Sequence, residues 1–293
     1  MKKTILATLV SALFSLTASA QEELRFVSNP DPNFYIFLCL GQSNMEGVAI
    51  PEEQEYSFAN PRFKMMAAMD FPAYTGNYRG EGRKMYEWDT AVSPICGPYF
   101  GITPCDYFGR TLINTLPDSI SVGVVNVAIG GCRIEHLFKD YNPYNLAERE
   151  PKWLQDKMKA YDGIPYMRLL NCGLRAKHQG IIKGILLHQG CSNTGDPEWR
   201  NKVNKVYHDL LNDLNLKAED VPLIAGEVVG EAVKGQCASM NKIIRTLPEV
   251  IPTASVVSSE GLNCLPDHLH FNAEGYRELG RRYAAAWLAT QKK

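Results

Sequence analysis

Two short polar stretches, far apart in the chain, contain the residue types of nucleophilic acyl chemistry. Ser43 follows an apolar run, Phe34 to Leu40, and a glycine. Near the other end, Asp267 and His270 are three residues apart, so they can meet within one tight loop. A serine hydroxyl becomes a strong nucleophile when a histidine accepts its proton and an aspartate orients that histidine. The spacing therefore predicts a triad of Ser43, His270 and Asp267.

Other interpretations of the same residues are open at this point. His268 is also a candidate base, but it would have to fold back on the adjacent Asp267, which favours His270. The residues around Ser43 also fit an ordinary turn between a strand and a helix, with Ser43 or Asn44 as the helix cap. A metal site built on His188, Asp267, His268 and His270 has no signature spacing, so neither a metal nor an organic cofactor is predicted.

Four segments, in order along nearly the whole chain, resemble the four sequence blocks of the SGNH hydrolase superfamily. They resemble most its sialate O-acetylesterase and acetylxylan esterase branch, carbohydrate esterase family 6. The segments are Gly-Gln-Ser-Asn-Met-Glu-Gly at 41–47, Ala-Ile-Gly-Gly at 128–131, His-Gln-Gly-Cys-Ser-Asn at 188–193 and Asp-His-Leu-His at 267–270. The resemblance implies a flavodoxin-like α/β/α sandwich and a serine esterase that removes acetyl groups from sugars.

A buried strand predicted over Ser121 to Ala128 closes at two glycines, Gly130 and Gly131. A glycine lets a backbone N–H group approach a substrate oxygen because no side chain intrudes. Gly131, or its neighbour Gly130, is therefore the predicted second donor of an oxyanion hole, after the Ser43 amide. A further donor is expected from a side-chain amide, and the sequence does not decide between Gln189 and Asn193.

Four residues in the same blocks are candidate substrate contacts: Gln42, Asn44, Gly130 and Cys191. In the family that the chain resembles, the third block usually reads Gln-Gly-Glu-Ser, so Cys191 stands where a glutamate is expected. A cysteine does not replace the charge-assisted hydrogen bonds of a carboxylate. The triad does not require residue 191. The reaction class is therefore expected to survive, and the effect on activity or substrate range is open.

Strand and helix patterns alternate five times along the chain, which is typical of a parallel sheet with helices on both faces. The predicted fold class is α/β, a flavodoxin-like three-layer α/β/α sandwich around a central parallel sheet. The carboxyl ends of parallel strands share one edge. The segments that hold Ser43, Gly131, Gln189 and the Asp267–His270 pair each follow a predicted strand and should meet at that edge.

Residues 49–101 show no helical or strand period and contain five prolines and ten aromatic residues. Such a segment is predicted to be an irregular insertion that forms one wall of the active-site cleft. Most of its aromatic side chains are expected to fill a small core of its own, and stacking on sugar rings is the less favoured role. Residues 133–162 are also predicted to be irregular and to form the opposite rim.

The 293 residues, 45% of them hydrophobic, are enough for one well-buried core, predicted as a single esterase domain over 21–293. A formal net charge of −1 argues against nucleic acid or an anionic membrane as the principal partner. Residues 1–20 have the pattern of a signal peptide cleaved after Ala20, with an apolar run too short to span a membrane. The mature protein is expected to be periplasmic or secreted.

Eight cysteines follow the predicted signal peptide. Cys39 and Cys172 lie on apolar faces and are expected to be buried thiols. The predicted disulfides, if the compartment is oxidising, are Cys96 with Cys105 and Cys237 with Cys264, although sequence does not fix connectivity.

The function predicted from these features is that of an acetylxylan esterase-like serine esterase, which cleaves O-acetyl esters through a covalent acetyl-enzyme. Its expected partner is an acetylated oligosaccharide or polysaccharide. One alternative is a sialate O-acetylesterase, and a lipase or thioesterase of the same superfamily is another. An alternative of a different class is a non-catalytic carbohydrate-binding protein, which the aromatic insertion and Cys191 would suit.

Overall fold

The computed structural model describes residues 29–72, 81–142 and 150–292. The predicted signal peptide at 1–20, with its cleavage after Ala20, lies outside the described residues. Tyr74 and Tyr78 of the predicted insertion also lie outside them. Across the described ranges, no helix combines the length and the apolar character that crossing a membrane requires.

Seven strands in the described residues form one central sheet. They are β1 (Phe34–Gly41), β2 (Phe63–Met66), β3 (Trp88–Thr90), β4 (Ser121–Ala128), β5 (Ile181–His188), β6 (Leu223–Gly226) and β7 (Ser255–Val257). Their order is β3-β2-β4-β1-β5-β6-β7, and every neighbouring pair is parallel except the antiparallel pair of β2 and β3. The run from β4 to β7 has the flavodoxin-like order, with the topological switch point beside β1. The predicted α/β class is confirmed.

In the described ranges, eight helices connect and cover these strands. They are α1 (Ser43–Glu46), α2 (Glu53–Tyr56), α3 (Pro104–Thr115), α4 (Lys152–Lys159), α5 (Pro165–Ala176), α6 (Trp199–Leu214), α7 (Asn241–Ile244) and α8 (Ala273–Thr290). Thr103 caps α3, with its side chain accepting from the N–H of Cys105. Asn272 caps α8 in the same way through the N–H of Gly275.

The central strand β1 is buried on both faces, which explains its uninterrupted apolar sequence. Ile36 and Leu38 belong to the core under α5 and α6, whereas Phe37 and Cys39 belong to the core under α3 and α8. All four side chains are fully buried. Burying each of the large ones contributes about 1.5–3 kcal/mol, so the strand that precedes Ser43 is held firmly from both sides.

The predicted insertion at 49–101 is more regular than expected. It contributes the helix α2 and adds β2 and β3 to the sheet beyond β4. Strands of four and three residues are too short to show a period in sequence. Phe63 and Phe71 of this segment are fully buried, but they belong to the domain core under α3 and α8 and not to a separate core of the insertion, which corrects the prediction at these two positions.

Two further sequence predictions need correction. Residues 133–162 were predicted to be irregular but contain α4, whose only buried side chains are Leu154 and Met158. The sequence pattern also predicts one helix over 238–247, but the structure has a short 3-10 turn there, Ala238–Met240, followed by the single turn of α7.

Candidate active site

The turn that carries Ser43 is fixed by its neighbours on both sides. A side chain at Gly41 would place its Cβ 2.2 Å from the carbonyl oxygen of His188, so only glycine allows β5 to approach so closely. Asn126 of β4 donates from Nδ2 to the carbonyl oxygen of Met45 at 2.8 Å. Ser43 is the first residue of α1, where a backbone N–H group has no acceptor within the helix. That amide is therefore available to a ligand.

The structure brings Ser43, His270 and Asp267 together in one chain of hydrogen bonds. The Oγ of Ser43 lies 2.8 Å from Nε2 of His270. On the other side of the ring, Nδ1 lies 2.7 Å from Oδ2 of Asp267. Because Nδ1 faces a carboxylate, it carries the proton, and the lone pair of Nε2 is left to accept from the serine hydroxyl. This is the geometry of a serine nucleophile with its general base.

Asp267 is held in its charged, orienting role by its own loop. Its Oδ1 accepts from the N–H groups of Leu269 at 2.9 Å and His270 at 3.0 Å. Burial acts to raise the pKa of Asp267, but the hydrogen bond from the His270 ring and the two backbone donors outweigh it and lower that pKa. Gln236 also stabilises this loop. Its backbone N–H donates to the carbonyl oxygen of His268, and its Nε2 donates to the carbonyl oxygen of Asp267.

His268 takes no part in this chain of hydrogen bonds. Its backbone has a positive φ of 52°, which turns the side chain away from Ser43. Its Nδ1 lies 2.8 Å from the carbonyl oxygen of Val233 instead. The geometry thus separates the two histidines of the loop in the way that their spacing from Asp267 suggested.

Asn44, a candidate substrate contact, is fully buried and holds two parts of the protein together instead. Its Nδ2 donates to the carbonyl oxygen of Leu269 at 3.0 Å. Its Oδ1 accepts from the N–H of Phe271 at 3.2 Å and from the hydroxyl of Tyr276 at 2.8 Å. The side chain therefore does not reach a substrate. It ties the Ser43 turn to the loop that carries His270.

The side-chain amides of Gln189 and Asn193 are not available to an oxyanion, which corrects the sequence prediction. Both residues are buried and neither lines the cleft. The Nε2 of Gln189 donates to Asn193 at 2.8 Å and to Gln42 at 3.2 Å. The Nδ2 of Asn193 donates to carboxylates of Glu135 and Asp196. These amides join the ends of β1 and β5 and form the floor of the site.

Gln42 lines the cleft but belongs largely to the same network. Its Oε1 accepts from Nε2 of Gln189 and from the backbone N–H groups of Gly190 at 3.1 Å and Ser192 at 3.3 Å. The side-chain amide oxygen of Gln42 is therefore occupied by hydrogen bonds within the protein. Gln42 positions the turn after β5 relative to Ser43.

A cleft of about 640 Å³ opens in front of the Ser43 hydroxyl. Gly130, Gly131 and Cys191 line it, as predicted for residues near a bound substrate. Gly131 has a positive φ of 81°, and a Cβ at this position would lie 2.3 Å from the ring of Trp153. The full lining in the described residues is Gln42, Ser43, Glu46, Val48, Gly130, Gly131, Trp153, Lys157, Cys191, Ser192, Gln236, Cys237, Leu269 and His270.

Two residues of α4, Trp153 and Lys157, reach the cleft, which agrees with the expected rim at 133–162. Trp153 is 53% exposed although it is a large apolar side chain. Nothing in the described part of the 49–101 segment lines the cleft, so the wall predicted there is not found in those residues. The sequence predicts a rim at 133–162 but not the helix within it. The reason is that α4 lacks a side-chain N-cap and shows little buried periodicity.

Glu46 places a buried carboxylate one turn after the nucleophile. Alone, it would oppose negative charge developing near Ser43. Lys157 donates to both of its oxygens, at 3.0 and 2.8 Å, and neutralises it. Lys157 is the only lysine or arginine among the described lining residues. No sequence pattern indicates this pair, since its members are 111 residues apart.

His188 is fully buried behind the site and is a core residue. Burial lowers its pKa to about 3, so the ring is neutral. The Tyr283 hydroxyl donates to the carbonyl oxygen of Leu187 and can therefore accept from Nδ1 of His188 at 3.2 Å. The residue has no path to the cleft and no part in the triad.

All eight cysteines are free thiols in this structure, so neither expected disulfide is formed. Cys105 contacts the sulfur of Met45, and Cys96 contacts the carbonyl oxygens of Asn126 and Ala128. Cys237 lies beside Cys191 and not beside Cys264, its predicted partner. Cys39 and Cys172 are buried thiols as expected.

Comparison with known proteins gives one family match. Residues 33–289 match the family model described as "Carbohydrate esterase, sialic acid-specific acetylesterase". A probable carbohydrate esterase of Arabidopsis thaliana is 24% identical over 274 residues, which cover 90% of this chain and 94% of that protein.

Solved structures show the same fold. The crystal structure of that Arabidopsis thaliana protein has a TM-score of 0.65 at 21% identity, over 88% of this chain and 99% of that one. A carbohydrate acetylesterase from Xanthomonas citri has a TM-score of 0.57 at 16% identity, covering 86% and 55% of the two chains. The structure named NanS has a TM-score of 0.57 at 14% identity, covering 89% and 99%.

Proposed function

Because the chain belongs to the carbohydrate esterase family of sialic acid-specific acetylesterases, and is thus a carboxylic ester hydrolase, we propose that Ser43, His270 and Asp267 form its catalytic triad. The observation that carries this proposal is the continuous hydrogen-bond chain from the Ser43 hydroxyl through His270 to Asp267, which opens on a cleft. The family supports an acetylated carbohydrate as substrate.

The proposed reaction is acetyl transfer in two steps. His270 accepts the proton of Ser43 while Oγ attacks the acetyl carbonyl, and Asp267 stabilises the imidazolium that results. The C–O bond to the sugar then breaks, and the sugar oxygen leaves with the proton from Nε2. Water, deprotonated by the same nitrogen, attacks the acetyl-serine and releases acetate. No step needs a metal or an organic cofactor.

The oxyanion would be held by backbone N–H groups, with Ser43 and Gly131 as the donors. Both residues line the cleft, and Ser43 begins a helical turn with its amide free of an intrahelical acceptor. Ser192 donates from Oγ to the carbonyl oxygen of Gly131 at 3.0 Å, which fixes the orientation of that glycine. Losing one preorganised donor of this kind costs about 10²–10³ in rate.

Trp153 is the proposed contact for the sugar ring. Its indole lies against Gly131 and is half exposed to the cleft, so a ring bound to the acetyl oxygen would have an apolar face to pack on. Pyranose rings present C–H groups on one face, and aromatic side chains supply a large, rigid contact area. The position of the indole, beside a proposed oxyanion donor, places that contact next to the reacting ester.

The charges in the cleft favour a neutral acetylated sugar, such as acetylated xylan, over sialic acid. A sialic acid carries a carboxylate, which a free arginine or lysine would normally bind. The only such residue among the described lining residues is Lys157, and both of its short contacts are with Glu46. Binding a second carboxylate there would compete with this pair, so a sugar without charge fits better.

Sialate O-acetylesterase activity is the second candidate function, favoured by the description of the matching family model. Acetate release from acetylated xylo-oligosaccharides, compared with O-acetylated sialic acid, discriminates between the two. We expect the higher kcat/KM on the xylan fragments. A higher kcat/KM on the sialic acid would favour the second candidate, and no acetate release from either would overturn both substrate assignments.

The Trp153→Ala variant sharpens this experiment. With acetylated xylo-oligosaccharides, loss of the ring contact should raise KM about tenfold, in line with the ~1–3 kcal/mol that aromatic stacking typically provides. With ethyl acetate, which has no ring to stack, kcat/KM should change much less. Equal losses on both substrates would show that Trp153 supports the site but does not bind the sugar.

The predicted signal peptide supports action outside the cytoplasm, where acetylated polysaccharides are found. We therefore propose a periplasmic or secreted enzyme. Cell fractionation after expression from the full-length gene tests this, with N-terminal sequencing to locate the cleavage. Recovery of the whole chain, uncleaved, in the cytoplasm would contradict it.

A further inference from the structure

Two thiols, of Cys191 and Cys237, lie side by side in the wall of the cleft. Cys191 begins the 3-10 turn after β5, and Cys237 directly precedes the 3-10 turn at Ala238–Met240. The sulfur of Cys237 lies 3.8 Å from the carbonyl oxygen of Cys191, so the two cysteines are in direct contact. Both residues are partly exposed and line the cleft, so small solutes can reach them.

The two thiols differ in acidity because of this contact. The hydrogen bond from Cys191 lowers the pKa of Cys237, helped by a hydrogen bond from Thr194 and by the nearby His270. The same hydrogen bond, together with burial, raises the pKa of Cys191. A low-pKa thiol beside a second, protonated thiol is the arrangement of an attacking and a resolving cysteine.

The remaining cysteines have no such environment. Burial raises the pKa of Cys39, Cys96, Cys132 and Cys172, whose thiols are therefore unreactive. Cys264 is only partly buried, but burial and the charge of Asp267 raise its pKa as well. Cys264 is therefore the natural control for exposure without activation.

We propose that Cys191 and Cys237 form a dithiol modification site in the active-site cleft, which reacts with small disulfides by thiol–disulfide exchange. The Cys237 thiolate attacks one sulfur of the disulfide RSSR, forming a mixed disulfide and releasing RS⁻. Cys191 then loses its proton to the medium and attacks the Cys237 sulfur, releasing the second RS⁻. The two cysteines are oxidised to one disulfide, and RSSR is reduced to two thiols.

The product disulfide would connect two segments that support the triad. Cys237 follows Gln236, whose backbone and side chain hold the carbonyl groups of His268 and Asp267. Cys191 follows the turn that Gln42 holds beside Ser43. The bridge would close a loop between residues 46 positions apart and link both sides of the catalytic chain. We therefore expect the oxidised form to unfold at a higher temperature than the reduced form.

The test uses the folded, fully reduced chain incubated with oxidised glutathione at neutral pH. Peptide mass spectrometry should find a disulfide between Cys191 and Cys237, with the other six thiols retained. Before oxidation, limiting iodoacetamide should label Cys237 about tenfold faster than Cys264, because the thiolate is the reacting species. A disulfide between other cysteines, or eight thiols retained after incubation, would overturn the proposal.

Three variants separate the two steps. Cys191→Ser removes the resolving thiol but keeps a hydroxyl donor, so Cys237 should be trapped as a mixed disulfide with glutathione. Cys237→Ser should form neither product, and Cys264→Ser should still form the internal disulfide. Glutathione found on other cysteines in Cys191→Ser would contradict the assigned order. All these readouts are thiol masses and rates, so their failure is distinguishable from a failure of the esterase proposal.

Discussion

Two groups of polar side chains, from the turn after β1, the turn after β5 and the loop at 267–270, have opposite surroundings. Ser43 and His270 face the cleft, with Asp267 behind them at a partly exposed position. Asn44, Gln189 and Asn193 are buried. The hydrogen bonds of their side chains described above are all to groups of the protein itself. We call these two groups the reacting chain and the buried amide frame.

The difference between the two groups shows how the site divides its tasks. The reacting chain has its lone pairs and protons directed at a space where a substrate fits. The buried amide frame joins the ends of β1 and β5 to each other and to the loop at 267–271. Changes in the first group should alter chemistry with little effect on folding. Changes in the second should alter stability first and chemistry only through position.

The largest effect should come from Ser43→Ala. Without Oγ no acetyl-enzyme forms, so kcat for acetate release should fall about 10⁴-fold or more. The thermal unfolding temperature should change little, because the side chain makes one hydrogen bond at the edge of the cleft. Ser258→Ala, which removes a serine hydroxyl that contacts Glu227 outside the described cleft lining, is the matched control and should keep nearly full activity. If Ser43→Ala were about as active as the control, the reacting chain would not differ from the buried amide frame in its role in chemistry.

Asp267→Asn should have the next largest effect on activity. An amide in place of the carboxylate favours the wrong tautomer of His270 and does not stabilise its cation, so kcat should fall by about 10²–10⁴. Asp213, which pairs with Lys139 at the surface, gives a matched variant, Asp213→Asn, that should keep full activity. Steady-state kinetics at pH 7–8 compare the two. A loss below about tenfold in Asp267→Asn would mean that another group orients His270.

Asn44→Ala tests the buried amide frame. It leaves the N–H of Phe271, the hydroxyl of Tyr276 and the carbonyl of Leu269 without a partner, so the free energy of unfolding should fall by about 1–3 kcal/mol or more. Activity at a temperature where the variant is folded should fall about 10- to 100-fold through misplacement of His270.

Asn241→Ala is the matched control for that experiment. Asn241 is also a buried asparagine, and its amide bonds both backbone groups of Val228, away from the triad. Urea unfolding should show a similar loss of stability, and kinetics should show nearly normal kcat. If both asparagine variants lose activity in proportion to their stability, Asn44 has no particular role in positioning the triad.

The smallest effect concerns the pH dependence of stability. Folding lowers the pKa of Asp267, so its contribution to stability is fully present above the unfolded pKa of about 3.9 and is lost as the pH falls through the lower folded value. The difference in unfolding free energy between the wild type and Asp267→Asn should therefore shrink below about pH 4. Urea unfolding between pH 3 and 7 measures it. A difference that grows towards low pH would mean that Asp267 is not held as the anion.

The proximity of Ser43, His270 and Asp267 could be predicted from sequence because few residue types suit a nucleophile and its base, while their catalytic role stays a prediction. A serine after a buried strand, and an aspartate three residues before a histidine, admit few arrangements that bring the three together. The strand pattern then placed both segments at one sheet edge. The α/β class followed from the alternation of strand and helix patterns, since β1, β4, β5, β6 and β7 each lie in a short apolar run bounded by polar or glycine residues.

The buried amide frame could not be separated from the cleft in the same way. Gln189 and Asn193 were predicted as oxyanion donors because an amide N–H group suits that task, but the same group also suits an internal hydrogen bond. The choice between the two becomes clear only in the folded structure, where Gln42 accepts from Gln189 and Glu135 accepts from Asn193. The strands β2 and β3 and the helix α4 were missed because they are too short, or bury too few side chains, to produce a period.

The central claim is that His270 activates Ser43, and labelling with a fluorophosphonate tests it most directly. The account predicts one label per chain, located on Ser43 by peptide mass spectrometry, and labelling of His270→Ala that is slower by about 10²-fold or more. A label on Ser192 or another residue, or an equal labelling rate in His270→Ala, would contradict it.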